Sequence, residues 1–187
     1  PPRSTLSSSS AASDVYKRQM INSYPKPVVM LAEGAAMAGG LGMLCAGDIV
    51  VVTEDCKFAL TETTLGIPPA QIAPFVAQRI GLAKARRIML TAARFTGKEA
   101  FEMGLADFIA KDANDLKKIE SDIIKGVMNC APGANAITKE IVLATRHLER
   151  SEMIDFAAKG FAERMLSDEG REGIASFIEK RKPKWSK

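Results

Sequence analysis

Apolar residues come in short runs over the first two-thirds of this chain and at helical spacing over the last third. Pro27 to Leu31 is a valine-rich run too brief for a helix, and it reads as a buried strand. Gly34, Ala35 and Ala36 form a small-residue loop, after which Gly39-Gly40 opens an apolar helix ending at Gly47. The runs Asp48–Thr53 and Lys57–Leu60 repeat the strand signature. Thr61 to Gly66 reads as loop, broken again by Pro68-Pro69; Pro69 opens a helix over Ala70–Arg79, and Gly81 stops it. The next helix, Leu82–Thr91, puts Leu82, Ala85, Ile88 and Met89 on one face. Thr96 and Glu99 have capping-box spacing for a helix over Gly97–Met103, and Leu105–Ala110 is a further short strand.

From Asp112 onward only helical periodicity is left. The predicted helices are Ala113–Met128, Ala134–Leu148, one capped by Ser151 with Ile154, Ala157, Phe161 and Met165 on a face, and one opened by Ser167. The sequence therefore reads as α/β, with residues 20–111 as a mixed core and 112–187 as a helical region. Residues 1–19 stand apart. PPRSTLSSSSAAS has no apolar period to offset the entropy of ordering, so a disordered leader is expected there. SDVYKRQ has the look of a translated adapter, which would place the start of native sequence near Met20.

Composition narrows the function. At 187 residues, 47% hydrophobic and 26% charged, the chain has the profile of a globular protein with a real core. Aromatic residues are only 6%, too few for a base-stacking surface. The net charge of +4 arises mainly between Glu179 and Lys187, so the body is near neutral and carries no nucleic-acid footprint. Cys45, Cys56 and Cys130 are odd in number and lack metal-ligand spacing, which points to reduced thiols in a cytoplasmic or organellar interior, with the cytoplasm as the expected setting. With His147 as the single histidine, a catalytic zinc site is not expected. No apolar stretch reaches membrane-spanning length.

The strand, glycine turn and helix around Gly39 form a device for holding a charged oxygen. The first N–H groups of a helix have no intrahelical acceptor, and the helix dipole makes that end positive. An anion, or an oxygen that becomes anionic during reaction, is stabilised there. A glycine pair alone is more often an ordinary tight turn. It is not a dinucleotide loop, because Cys45 stands where the third glycine belongs.

The runs KPVVMLAEGAAMAGGLGMLCAGDIVVV, CKFALTETTLGIPP and LTAARFTGKEAFEMGLAD, with the closing EGREGIASFIEKRKPKW, decide more. In this order, over about Met20 to Trp185, they resemble the enoyl-CoA hydratase/isomerase (crotonase) superfamily. The resemblance implies a partial crotonase spiral of ββα units followed by a helical trimerisation region, and a homotrimer or hexamer. It implies an acyl-CoA thioester substrate and no cofactor beyond the coenzyme A that arrives with it. A backbone amide matching Gly39 would bind the thioester oxygen, and Glu62 would act as acid/base. Substrate contacts would come from Ala38, Gly40, Gly42, Thr61, Leu65, Gly66 and Gln71, and from Lys184 and Trp185 across a subunit boundary. The family's second oxyanion donor precedes the Lys-Pro strand, so an N-terminally truncated protein is expected.

One departure matters. The two-glutamate hydratases carry a second glutamate where this chain has Gly42. The run LGIPPAQIAPFVAQRIG, with Gln71 and Pro74, most resembles the methylglutaconyl/isohexenylglutaconyl-CoA hydratase branch, whose extra carboxylate would need a cation such as Arg79 or Arg94. An isomerase, a dehydratase or a non-catalytic acyl-CoA-binding subunit on the same scaffold are the alternatives. Without the resemblance, Glu62 reads as a surface glutamate.

Overall fold

A computed structural model describes residues 8–186. The chain divides into two compact units, one holding Val28–Glu120 together with the chain up to Asn22, the other holding Ser23–Pro27 and the chain from Ser121 on. No described helix is long and apolar enough to cross a membrane.

The first unit contains two small sheets. In one, β1 (Val29–Ala32) pairs in parallel with β3 (Ile49–Thr53), which pairs in parallel with β6 (Phe108–Ala110). In the other, β2 (Ala35–Met37) runs parallel to β4 (Lys57–Ala59), which pairs antiparallel with β5 (Arg94–Thr96). Val50, Val51 and Val52 are fully buried, as a strand covered on both faces requires. Phe58 and Phe95 stack across β4 and β5 with ring centroids 5.4 Å apart.

Two aspartates fix the first sheet from outside it. The Asp48 carboxylate accepts the Val28 N–H at 2.7 Å, and that of Asp107 accepts the Val50 N–H at 2.7 Å. Arg79 ties both segments together. It donates to the carbonyls of Leu105, Gly47 and Asp48 and pairs with the Asp107 carboxylate.

Around the sheets lie α2 (Gly39–Ala46), α3 (Ala73–Ile80), α4 (Leu82–Leu90) and α5 (Gly97–Glu102). The predicted box at Thr96 is present, with reciprocal Thr96 and Glu99 bonds. Helix α3 starts later than Pro69 suggested, because residues 70–72 turn first and Pro74 takes the first turn of the helix. The loop expected at Ala35–Ala36 is strand β2, and β5 falls where no element was predicted. Each is only three residues long, below the reach of a period-2 pattern.

Where a disordered leader was expected, Ser8–Ser23 forms α1; residues 1–7 of that leader lie outside the described residues. Tertiary contact supplies what periodicity lacks: Ile21 packs against the core and Arg18 is only 4% exposed.

In the second unit, the C-terminal part of α6 (Ala113–Met128) is joined by α7 (Pro132–Ala144), α8 (Arg150–Leu166) and α9 (Asp168–Ile178). Ser167 caps α9 as predicted, accepting the Gly170 N–H. Helix α8 is capped by Glu149, not Ser151, because Glu149 forms a reciprocal box with Glu152. Its predicted apolar face is not turned inward. Gly160 is the buried residue, pressed against Ile137 and Ile141 of α7, while Ile154, Phe161 and Met165 are exposed.

Candidate active site

The α2 entry is built by strain and by two-way pairing. Ala38, the residue before the helix, holds φ 46° and ψ −117°, a left-handed setting costly for a side chain. Its N–H bonds the Ala59 carbonyl at 2.8 Å, and its own carbonyl accepts the Gly42 N–H at 3.1 Å. That Gly42 bond is the first of the helix, so the amides of Gly39, Gly40 and Leu41 precede the intrahelical ladder. Gly40 is exposed and Gly39 half-buried, so the backbone here is open to a ligand oxygen.

Beside this entry, the chain leaving β4 makes a 3₁₀ turn over Glu62–Leu65, closed by Gly66 at φ 75°. Thr63 Oγ1 pins that turn to the Met89 carbonyl at 3.1 Å. Glu62 is half-buried, and its Oε2 is buried with no hydrogen-bond partner. A buried acceptor left empty is costly, and one aimed at a ligand site is filled by the ligand. Of the apolar neighbours in sequence, Phe58 and Leu60 are buried, whereas Leu65 and Ile67 face solvent.

The Ala38–Ala59 bond joins the α2 entry, with Ala38, Gly39, Gly40 and Gly42, to the end of β4, from which the chain runs on through Thr61 and Glu62 to Leu65 and Gly66. Gln71 is half-buried next to Ile72, whose side chain meets Gly42. Lys184 and Trp185 lie in the second unit. Trp185 Nε1 donates to the Asn129 carbonyl at 3.2 Å, and the Lys184 N–H donates to Glu172 at 3.0 Å. Among the described residues no three His, Cys, Asp or Glu converge as a metal site.

Arg79 is not available to a substrate carboxylate, because the sheet occupies its donors. Arg94 is exposed on β5 and lines a surface cleft with Lys84 and Arg87.

Two site neighbours escaped the sequence reading. Arg18 of α1 places Nη2 3.3 Å from where a Cβ on Gly39 would stand, and Nε 3.3 Å from the equivalent point on Gly42. Its Nε and Nη1 are buried without partners. Ile72 is 3% exposed and sits 2.6 Å from a Cβ position on Gly42, with its Cγ2 closer still. A side chain at position 42 would force Ile72 to shift. Nothing in the sequence spacing flagged either residue.

A family model described as enoyl-CoA hydratase/isomerase matches residues 5–187. The chain belongs to the enoyl-CoA hydratase/isomerase family. It is 32% identical to a probable enoyl-CoA hydratase of Bacillus subtilis, covering 89% of this chain and 65% of that protein. A peroxisomal Delta(3,5)-Delta(2,4)-dienoyl-CoA isomerase of Arabidopsis thaliana is 30% identical over 87% of this chain and 59% of its own length. Among solved structures, Pseudomonas aeruginosa AtuE superposes with a TM-score of 0.92 at 43% identity, covering 94% of this chain and 68% of that one. The fold is thus that of the crotonases, and the chain spans about two-thirds or less of these curated relatives. Both hydratase and isomerase names occur among members of the family this similar to it.

Proposed function

We propose that the protein carrying this chain adds water across the α,β double bond of an enoyl-CoA thioester of glutaconyl type. The observation that carries this reading is the buried, unpartnered Oε2 of Glu62, three residues beyond the Ala59 carbonyl that the entry to α2 bonds. Glu62 as carboxylate takes a proton from water while the water oxygen bonds to the β-carbon. The double-bond electrons move towards the thioester oxygen, where the Gly39 N–H meets the growing charge. The protonated Glu62 then returns its proton to the α-carbon, the thioester carbonyl reforms, and the carboxylate is regenerated. A fixed N–H donor of this kind is worth about 3 kcal/mol to the transition state.

Ala38, Gly40, Gly42, Thr61, Leu65, Gly66 and Gln71 surround the acyl thioester in this reading, and Lys184 and Trp185 serve the coenzyme A of a neighbouring subunit. Coenzyme A enters as part of the substrate, and no resident metal or redox group is called for. The assembly is a homotrimer or hexamer in the cytoplasm.

The test is hydration of 3-methylglutaconyl-CoA, followed by loss of the enoyl-thioester absorbance. Glu62→Gln is expected to lower kcat by about 10²–10⁴-fold, the usual share of a positioned acid/base. Unchanged turnover in that variant overturns the assignment. One observation favours a second reading, isomerisation: with position 42 closed, one carboxylate can carry a proton between two carbons of the same acyl chain. Product analysis separates the two, since isomerisation leaves the mass of the thioester unchanged.

A further inference from the structure

The contact between Ile72 and Gly42 does more than fill space. Gly42 follows Gly39 by three residues, so both stand on one face of α2. The structure shows this directly, because the single guanidinium of Arg18 lies 3.3 Å from the Cβ positions of both. Ile72 closes on that face one turn beyond the candidate oxyanion amide. The part of Ile72 that touches is Cβ and its Cγ2 methyl, the stiff branch point and not a flexible tip. Ile72 is itself fixed: its N–H bonds the Pro69 carbonyl at 3.1 Å, it precedes α3 as the N-cap, and it is buried in the core cluster. Ten residues earlier in the same loop stands Glu62, with Pro68 and Pro69 stiffening the stretch between.

The loop from Thr61 to Ile72 thus carries the candidate acid near one end and a rigid stop at the other, and that stop rests on the helix bearing the candidate oxyanion donor. We infer that Ile72 is a positioning residue whose contact with Gly42 sets the spacing between the Gly39 amide and the Glu62 carboxylate. This rests on the hydration reading above. Only glycine at 42 allows the contact, and only a β-branched side chain at 72 keeps it stiff.

The experiment compares Ile72→Val, Ile72→Ala, Gly42→Ala and the double variant Gly42→Ala/Ile72→Ala, with Tm measured beside kcat and KM for 3-methylglutaconyl-CoA. Ile72→Val keeps both γ-carbons and is expected within about twofold of the parent in kcat. Ile72→Ala is expected to lower kcat by about 10²-fold with little change in KM, the signature of misplaced rather than missing groups, when assayed well below its Tm. Gly42→Ala is expected to lower Tm by about 5 °C through overpacking, and the double variant to lose less than the sum of the two single losses, because Ile72→Ala removes the Cγ2 methyl that the added side chain meets.

A kcat for Ile72→Ala within about twofold of the parent, in a protein folded at the assay temperature, overturns the positioning role. So does a Gly42→Ala variant as stable and active as the parent. Failure of the underlying reading looks different: Glu62→Gln keeps full turnover, or the parent shows none, while the Tm pattern of the variant series stays as described.

Discussion

At the scale of single residues, the most exposed weakness is Arg18. Its guanidinium is nearly fully buried against α2, and two of its three nitrogens find no acceptor. Burying an unpaired cation costs several kcal/mol, and an apolar side chain of similar volume removes that cost without opening a cavity. Arg18→Leu is therefore expected to stabilise the chain by about 1–4 kcal/mol, visible as a higher Tm. A lower Tm would show that the guanidinium contributes an interaction the apolar side chain cannot supply. The same residue marks the limit of what was readable beforehand. Gly39 stood out because a strand, a glycine turn and a helix start surround it, and Glu62 only because its run resembles the family's. Arg18 and Ile72 are defined by what folds against them from elsewhere in the chain, and no local pattern carries that. Arg79 is the converse case: its charge suggested a ligand, but long-range carbonyls of Gly47, Asp48 and Leu105 claim it.

Among the elements, the segment after α9 is held by electrostatics more than by apolar packing. Arg181 grips the Glu172 carboxylate with two bonds of 2.6 and 3.0 Å, and the Lys184 N–H adds a third at 3.0 Å. These bonds, led by those from Arg181 and opposed by partial desolvation, pull Glu172 from its ordinary 4.5 down to about 2. A carboxylate depressed in the folded state contributes stability above its unfolded value and loses it as pH falls through the folded value. The docking of this segment is therefore expected to hold at pH 5, weaken below about 4.5 and vanish only near pH 2. Trp185, the single tryptophan, reports on it directly, since its indole rests on Gly173 and bonds Asn129. Its fluorescence should shift over that acid window, and Glu172→Gln should show the released signal already at neutral pH. A Trp185 signal flat from pH 5 to 2 would mean that indole packing alone holds the segment. Elements with a strong local signal, such as α6 and the Thr96 box, were legible to the residue. Those made by pairing, β2 and β5, were not, because a three-residue strand owes its existence to its partner.

At the scale of the whole molecule, the helical unit exposes several large apolar side chains. Phe161 is 67% exposed and Phe177 84%, and Leu166 and Ile178 are each 72% exposed. The sequence pattern announced a face at Ile154, Phe161 and Met165, but a hydrophobic stripe does not say whether its cover comes from the same chain. Within this unit Gly160 lets α8 approach α7 by its other side, which leaves that stripe outward. Scattered apolar residues on a surface need no explanation, whereas large side chains gathered on adjoining helices mark an interface. The proposed trimer supplies one. Sedimentation equilibrium of the chain should then give a mass of three or six copies of 20.1 kDa rather than one. Phe177→Asp places a charge where a dry interface needs a ring, and it should shift the mass towards the single chain at micromolar concentration, since unpaired interface charge costs several kcal/mol. Because Phe177 has almost no intrachain cover, the variant should keep the parent's helical content while losing association. A single-chain mass for the parent would remove the trimer, and with it any contribution of Lys184 or Trp185 to a neighbour's substrate.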